Sequence, residues 1–400
     1  MLRPGSLALT LLLSMLTGIG PLSMDMYLAS LPSIGRLLDA PTSQVQLTIS
    51  AYLIGFAISQ IFHGPLSDRH GRRPLLLATL GIYLLATLAC ALAPSIETLI
   101  AARCFQAVGG SGASVLARAI VRDMYEGSRI GRELARMAAI MALAPLVAPL
   151  IGGVLETAFG WRSNFVVLFC FGAAAWVMVW FLLPETLRQR APEPVSIGST
   201  LRSYRRFLAD KGFVIHLGIA TCCLSGLFAW ISSAAFVIQD IYGLSALAFG
   251  LAFAVGSSGY MVGTMIAARF VMRWGSGKTM GFGAACMALG GLTMIVQLAF
   301  TLHGAVGVIA AVWLYLIGMG MTLAQAQAGA LLPFPDRAGA ASSLLGFTTQ
   351  TVSAIVGAIL GHTLGLTAWP LAIAMVSAGG LSLLLWTLSR NARARGGTTR

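Results

Sequence analysis

Gly64-Pro65-Leu66-Ser67-Asp68-Arg69-His70-Gly71-Arg72-Arg73 lies between two long apolar runs and carries four charged side chains. A charged side chain at the centre of a membrane span costs roughly 2.5 to 3.5 kcal/mol. The chain must therefore leave the bilayer between these two runs. The stretch predicts a short hairpin at a membrane surface, and the other assignments follow from it.

The composition is that of a protein embedded in lipid. Of 400 residues, 57% are hydrophobic and 10% are charged, so no large water-soluble domain is expected. The net charge of +13 could indicate a nucleic-acid partner, but the basic residues are scattered over short loops instead of one face. The six cysteines all lie in apolar runs without C-x-x-C spacing, and the five histidines are dispersed. Neither disulfides nor a metal site are predicted.

Apolar runs long enough to cross a bilayer recur along the whole chain. A span needs about twenty mostly apolar residues, and the sequence contains twelve such runs. Their predicted limits are 6–28, 44–63, 74–93, 96–118, 136–157, 164–183, 213–238, 247–271, 279–299, 305–330, 339–361 and 368–389. The predicted fold class is an all-α membrane protein with twelve transmembrane helices.

The basic residues are sorted to one side of these spans. Of the 26 Lys and Arg residues, 23 fall in the termini and in alternate loops. Arg36 and Arg162 occupy the other side, and Arg103 lies inside a span. Because cytoplasmic loops carry the excess of Lys and Arg, both termini and the middle loop are predicted to be cytoplasmic.

The longest polar stretch divides the spans into six and six. We predict an N-terminal half (1–183), a cytoplasmic central loop (184–212) and a C-terminal half (213–400). Within the loop, Arg202-Ser203-Tyr204-Arg205-Arg206-Phe207 mixes basic and aromatic residues. This segment could lie on the anionic inner leaflet as a short amphipathic helix, or it could be a solvated linker.

Asp25 is the main candidate for a functional charge within the membrane. It lies in the outer third of the first span, where an unpaired ionised carboxylate is expensive. Arg103, in the fourth span, is expected at a similar depth, about 10 Å below the outer surface, so the two residues are expected to be partners. Alternatively, the first span ends earlier and Asp25 is interfacial. The remaining carboxylates, Glu133 included, are assigned to loops or span ends, and only Glu156 could also reach the membrane.

The fifth span contains Pro145, Pro149, Gly152 and Gly153 within ten residues. Prolines four residues apart remove helix hydrogen bonds, and glycines let a neighbouring helix approach closely. This span is therefore expected to bend and slide.

Several motifs together resemble one family of transporters. The opening stretch is similar to the G-x-L-S-D-R-x-G-R-R signature of the major facilitator superfamily, and Gly277-Lys278 in the second half falls at the position of Gly71-Arg72 in the first. Arg103 to Gly109 resembles the fourth-span motif R-x-x-Q-G-x-G, with Ala107 replacing the first glycine, and Ala144 to Gly153 resembles the antiporter motif, with Ala148 replacing a glycine. Met24-Asp25-Met26-Tyr27-Leu28, Gly160-Trp161-Arg162, Pro184-Glu185-Thr186-Leu187 and the stretch 333–343 resemble drug:proton antiporters of the bicyclomycin and chloramphenicol resistance type.

The resemblance implies two pseudo-symmetric six-helix halves and a set of functional residues. Asp25 would bind the coupling proton and Arg103 would tune it. The residues implied in gating are Gly64, Asp68, Arg69, Gly71, Arg72, Arg73, Asp123, Pro145, Pro149, Gly152 and Gly153. The candidates for the substrate cavity are Tyr52, Gln106, Trp230, Phe236 and Gln350. Asp68 is expected near Gly339 at the start of the eleventh span, where it would latch the inner side shut.

The expected function is proton-driven efflux of small amphipathic drugs, without an enzyme activity or a cofactor other than the coupling proton. The expected partners are neutral small molecules and the lipid bilayer of a bacterial inner membrane, with a monomeric chain and no nucleic acid. Some relatives carry a second acidic residue in the first span, where this chain reads Leu16-Thr17-Gly18. Asp25 is then expected to handle protons without that partner.

Two alternatives remain open at this point. The chain could be a proton-linked transporter of a single metabolite, such as an amino acid or a sugar. The antiporter-like fifth span argues against import. A membrane-embedded enzyme would need a cluster of His, Asp or Glu at one depth, and an ATP-driven pump would need a G-x-x-x-x-G-K-[ST] loop. The sequence contains neither pattern.

Overall fold

The computed structural model describes residues 6–126, 128–141, 143–187, 204–300, 304–334, 338–363 and 367–396, and most of these residues are helical. In the first half the helices are α1 (Leu7–Asp25), a 3-10 segment (Tyr27–Ser30), α2 (Leu31–Leu37), α3 (Thr42–His70), α4 (Arg72–Ala91), α5 (Ile96–Met124), α6 (Ser128–Met141), α7 (Ala144–Phe159) and α8 (Arg162–Leu182). In the second half they are α9 (Lys211–Ala235), a π-helical segment (Phe236–Ile241), α10 (Ala246–Ala299), α11 (Ala305–Leu331), α12 (Ala338–Thr363) and α13 (Trp369–Gly396).

Ten helices in the described part of the chain are long and apolar enough to cross a membrane. One of them, α10, has 54 residues and contains Gly275, whose φ of 76° and ψ of 163° interrupt the helix. It therefore accounts for the eighth and ninth predicted spans. The all-α fold expected from the apolar runs is confirmed.

The fifth predicted span requires a correction. Residues 136–157 do not form one helix, because α6 ends at Met141 and α7 begins at Ala144. Pro145 lies at the start of α7, where proline is favoured because its missing N–H would have no helical partner. The hydropathy of the sequence gave no indication of this break.

The charged stretch from Gly64 to Arg73 is also more helical than the expected hairpin. Residues Gly64 to His70 are helical, because α3 continues to His70 and α4 begins at Arg72. Gly71, with φ of 100°, is the single residue that reverses the chain. Glycine adopts positive φ without the steric cost of a Cβ atom. The apolar run ends before the helix does, so hydropathy placed the turn too early.

The chain divides into two compact units, one containing residues 6–187 and 246–250 and the other containing 204–245 and 251–396. In the first unit, α5 packs against α3 and α4. A Cβ atom at Gly109 would lie 2.6 Å from the Thr79 carbonyl oxygen of α4, so only glycine permits this approach. Four residues before Gly109, Phe105 is 63% exposed, as expected for a surface that meets lipid.

In the second unit, α9 packs against α11, α12 and α13. A short helical segment at 204–209 precedes it. Phe207 of this segment is fully buried, with ring centroids 5.6 Å from Phe213 and 4.7 Å from Phe334. The aromatic side of this segment packs on the protein. Phe207 is therefore neither in a solvated linker nor on the side of a helix that faces the lipid surface. Arg205 and Arg206 are exposed.

Candidate functional site

Asp25 is the last residue of α1, and its side chain is 6% exposed. The chain continues through Met26, whose N–H donates to the Leu22 carbonyl oxygen at 3.1 Å, into a 3-10 segment. Asp25 is thus enclosed by protein and not exposed to solvent in this structure. Gly152 of α7 contacts the backbone of Met26, and this brings the predicted antiporter motif next to Asp25.

Arg103 lies on α5 at the same level and is 0% exposed. Its Nη1 donates to the Ser23 carbonyl oxygen at 2.9 Å and to Gln106 Oε1 at 2.6 Å. Ser23 is in the last turn of α1, where carbonyl groups lack a partner within the helix. The end of α1 at Asp25 thus provides an acceptor for the buried guanidinium. Because Ser23 is two residues from Asp25, Arg103 lies beside the end of α1 that carries Asp25.

Aromatic rings surround the rest of the guanidinium. The Arg103 Cζ atom lies 4.5 Å from the ring centroid of Tyr27, 4.3 Å from that of Tyr52 and 5.9 Å from that of Phe165. A desolvated cation over an aromatic face gains about 2 kcal/mol. Tyr52, expected at the substrate cavity, therefore covers the buried charge. Its hydroxyl donates to the Gly20 carbonyl oxygen at 3.2 Å.

The expected direct pairing of Asp25 with Arg103 is wrong for this conformation. Both residues are described, and no nitrogen of Arg103 lies within 4.0 Å of an Asp25 carboxylate oxygen. The guanidinium instead uses the Ser23 carbonyl, Gln106 and the aromatic rings. Residue spacing along two helices predicts which side chains lie near one another, but it does not predict which acceptor the long arginine side chain binds.

Gln106, also predicted for the cavity, is fully buried and has both ends of its amide bound. Its oxygen accepts from Arg103, and its nitrogen donates to Thr87 Oγ1 at 2.9 Å. Ser23 Oγ and the Tyr83 hydroxyl lie 2.8 Å apart in the same region. Gln106 therefore holds Arg103 in place and has no free group for a ligand in this conformation.

The gating residues of the opening stretch meet around Arg72. Its guanidinium lies 2.6 Å from Asp68 and 2.8 Å from Asp123, and it also donates to Ser67. Arg72 and Asp123, both named among the gating residues, are thus in contact. Arg73 donates to the Trp180 carbonyl oxygen at 2.6 Å. These contacts join α3, α4, α5 and α8 at one end of the first unit.

Glu185 belongs to this network, although the sequence analysis did not assign it a role. Its carboxylate accepts from the backbone N–H groups of Arg72 at 3.0 Å and Arg73 at 3.2 Å. A carboxylate at a helix N-terminus satisfies free N–H groups and interacts favourably with the helix dipole. Glu185 lies 113 residues from Arg72 in the sequence, so no local pattern could reveal the cap.

Glu156, the second carboxylate considered for the membrane, is half-buried, and both of its oxygens accept hydrogen bonds. It accepts from the Ser30 and Ser33 hydroxyls, both at 2.5 Å, and Asn164 donates to Ser30 at 3.0 Å. Glu156 therefore joins α7 to the start of α2 instead of presenting a free charge.

The remaining cavity candidates lie in the second unit. Trp230 of α9 is buried, and its ring stacks on Phe253 with centroids 6.0 Å apart. Phe236 opens a π-helical segment, an irregularity that often occurs at functional sites. In the described part of the chain, Trp230 Nε1 and Gln350 Oε1 have no hydrogen-bond partner.

Comparisons with known proteins agree on one family. The sequence profile of the Major Facilitator Superfamily matches residues 13–358. The chain is 35% identical to the uncharacterized MFS-type transporter YdgK of Bacillus subtilis, over 89% of each protein. It is 30% identical to a chloramphenicol resistance protein of Pseudomonas aeruginosa, over 98% of this chain and 93% of the relative. The solved structure of the E. coli xylose transporter XylE in a partially occluded inward open conformation has the same fold, with a TM-score of 0.74, 14% identity and coverage of 96% and 97%.

Proposed function

Because the chain belongs to the Major Facilitator Superfamily, we propose that it exports small amphipathic molecules across a bacterial inner membrane in exchange for protons. A relative of nearly the same length is named for chloramphenicol resistance. The single observation that carries the proton coupling is the burial of Asp25 in the half of the chain that also buries Arg103. The chain acts as a transporter and not as an enzyme.

The coupling depends on the charge state of Asp25. When its carboxylate is ionised, Arg103 provides the nearby positive charge that offsets the cost of a buried anion. When Asp25 carries a proton, Arg103 is held by the Ser23 carbonyl, Gln106 and two tyrosine rings, as in this structure. The guanidinium thus has partners in both states. Proton uptake at the outer side and release at the inner side would then alternate with drug release and drug binding.

The network around Arg72 would regulate which side is open. Asp68, bound to Arg72 at 2.6 Å, is proposed to interact with the start of α12 near Gly339 when the inner side is closed. Glu185 holds the start of α4 through two backbone N–H groups, so the corner at Gly71 is rigid. The termini and the residues that follow α8 are proposed to face the cytoplasm, as the sorting of basic residues indicates.

The charges of the site favour neutral substrates. Ionised Asp25 with Arg103 is close to neutral, whereas protonated Asp25 leaves one positive charge. A dication would meet no free carboxylate in the first state and repulsion in the second. A neutral amphipathic molecule avoids both costs and gains roughly 25 cal/mol for each Å² of apolar surface that it buries.

Drug uptake into inside-out vesicles with an acidic lumen tests the proposal, because the cytoplasmic face of the protein then lies on the outside of the vesicle. Asp25→Asn should abolish chloramphenicol transport, because the amide cannot bind or release a proton. Asp39→Asn is the matched control, since Asp39 is exposed and its φ of 48° suits asparagine. Gradient-driven uptake that survives in Asp25→Asn would overturn this coupling mechanism. Wild-type vesicles that move no member of a neutral antibiotic panel would overturn the substrate class.

A further inference from the structure

Helix α6 has one side that packs on the protein. Ile130, Leu134 and Met137 pack into the apolar core of the first unit. Glu133 lies on the same side, because it is three residues from Ile130 and four from Met137, and it is 1% exposed. Its carboxylate accepts from the Thr10 hydroxyl of α1. The expected position of Glu133 in a loop or at a span end is therefore wrong.

The opposite side of α6 carries three arginines. Arg129, Arg132 and Arg136 are exposed and are spaced three and four residues apart, so they lie on one side of the helix. Glu133, the only acidic residue in the sequence of α6, faces the core, and Glu126 precedes the helix. In the described residues, no carboxylate oxygen lies within 4.0 Å of a nitrogen of Arg129 or Arg132. The exposed side of α6 is therefore positively charged.

Beyond Arg136 the exposed side continues with apolar residues. They follow Arg136 at intervals of four, three, four, four and three residues, which is the spacing of one helical side. The break between α6 and α7 does not interrupt this side, because the Leu143 N–H donates to the Ile140 carbonyl oxygen at 3.2 Å and the Val147 N–H to the Leu143 carbonyl oxygen at 3.0 Å. The exposed apolar residues are Ile140, Leu143, Val147, Ile151 and Val154.

We call the three arginines and these five apolar residues the α6–α7 strip. Its composition changes from basic to apolar within one turn, between Arg136 and Ile140. Charged side chains avoid hydrocarbon, so this change marks the boundary between the headgroups and the acyl chains. Leu7 and Leu11, at the start of α1, are also exposed, and α1 contacts α6 through Thr10 and Glu133. Lipid therefore reaches this end of the first unit.

We propose that the α6–α7 strip binds an anionic phospholipid, with the headgroup phosphate on Arg129 and Arg132 and an acyl chain along Ile140 to Ile151. Guanidinium groups offer paired N–H donors that match two phosphate oxygens. The eleven residues from Ile140 to Ile151 correspond to about 16 Å at 1.5 Å per residue, which is about half of the 30 Å hydrocarbon core. The apolar part of the strip therefore has the length of one leaflet.

The charge of the strip selects the class of lipid. A zwitterionic headgroup carries a cation that offsets its phosphate, whereas an anionic headgroup keeps a net negative charge for the arginines. Free phosphate has no chain to cover the apolar residues. Arg136 remains 3.3 Å from Glu133, so Arg129 and Arg132 are the two cations fully available to the lipid. This binding surface goes beyond the proposed antiport and does not depend on it.

Photocrosslinking in vesicles tests the proposal. The full chain is reconstituted in phosphatidylcholine with a trace of phosphatidylglycerol or phosphatidylcholine that carries the same diazirine acyl chain. Mass spectrometry then measures the label on residues 137–154 relative to the label at Leu85, an exposed residue of α4. We expect phosphatidylglycerol to label residues 137–154 more strongly than phosphatidylcholine. Each arginine at a membrane surface adds about fivefold to this preference.

The double variant Arg129→Gln, Arg132→Gln should therefore lower the preference by roughly 30-fold. It leaves the ion pair of Arg136 with Glu133 intact, so the packing of α6 is retained. Arg205→Gln, Arg206→Gln is the matched control, because it removes the same charge from exposed positions of the second unit and should keep the preference.

Three results would overturn the proposal. The first is an unchanged preference in the double variant, and the second is an equal loss in the control, which would indicate a response to total charge. The third is loss of the preference in sodium phosphate but not in sodium chloride of the same ionic strength, which would identify free phosphate as the ligand. No drug or pH gradient is present, so failure of the proposed transport would not affect these outcomes.

Discussion

The contact between α7 and the end of α1 predicts that Gly152→Ala damages both stability and transport. A Cβ atom at Gly152 would lie 2.9 Å from the Met26 carbonyl carbon and 3.0 Å from its Cα. The Met26 carbonyl oxygen lies closer still, and ordinary Cβ contacts begin at 3.4 Å, so the two backbones must separate. Overpacking of this kind costs about 1 to 3 kcal/mol. Met26 adjoins Asp25, so the shift also displaces the proposed proton site.

Thermal unfolding of the purified variant and drug uptake into inside-out vesicles measure the two effects. We expect the melting temperature to fall by about 2 to 12 °C, from about 2 to 4 °C for each kcal/mol, and drug transport to fall more than the amount of folded protein. Gly81→Ala is the matched control. Gly81 lies within α4, and a Cβ atom there would meet no atom within 4 Å. A Gly152→Ala protein with wild-type melting and efflux would refute the close approach of α7 to Met26.

The charged residues lead to three expectations that the same vesicles can measure. Asp68→Asn should impair transport but leave folding and drug binding largely intact, because it weakens a half-exposed pair with Arg72; equal loss of drug binding by equilibrium dialysis would indicate a folding role instead. Arg103→Ala should abolish efflux, since ionised Asp25 loses the nearby cation, and a variant that still couples efflux to the pH gradient would contradict this role. Cells that express the protein should be protected better against neutral compounds than against matched dications. This resistance profile should not change in Glu156→Gln, because two serine hydroxyls already bind that carboxylate. Protection against dications that disappears in Glu156→Gln would show that Glu156 reaches the substrate.

Hydropathy and intramembrane charge were sufficient to predict the fold and the burial of Asp25 and Arg103. The cost of placing Asp25 and Arg103 in lipid requires both residues to lie inside the bundle, and both are buried. The partners of Arg103 could not be predicted in the same way. They depend on where α1 stops and on three aromatic rings from separate helices, and neither feature leaves a pattern in hydropathy.

Glu133 and Glu185 were missed for different physical reasons. The spacing of Ile130, Glu133, Leu134 and Met137 is that of one apolar helical face, so a helical reading of residues 128–141 could have predicted that Glu133 is buried. The surrounding arginines made the segment resemble a loop. Glu185, by contrast, caps a helix that is distant in sequence, and only the folded chain brings the two together.

The buried charges are unequally divided between the two units. In the described residues, Asp25, His63, Arg72, Arg103 and Glu133 are buried in the first unit, whereas the buried polar side chains identified in the second unit are serines and threonines. The proposed coupling through Asp25 and Arg103 therefore belongs to the first unit. In the described residues, the second unit can offer hydroxyl, indole and amide groups, which bind polar atoms of a ligand without responding to its charge. Substrate choice and the proposed proton coupling are therefore expected to be separable by mutation, with changes on α9 altering the drug profile and changes on α1 and α5 altering the dependence on the pH gradient.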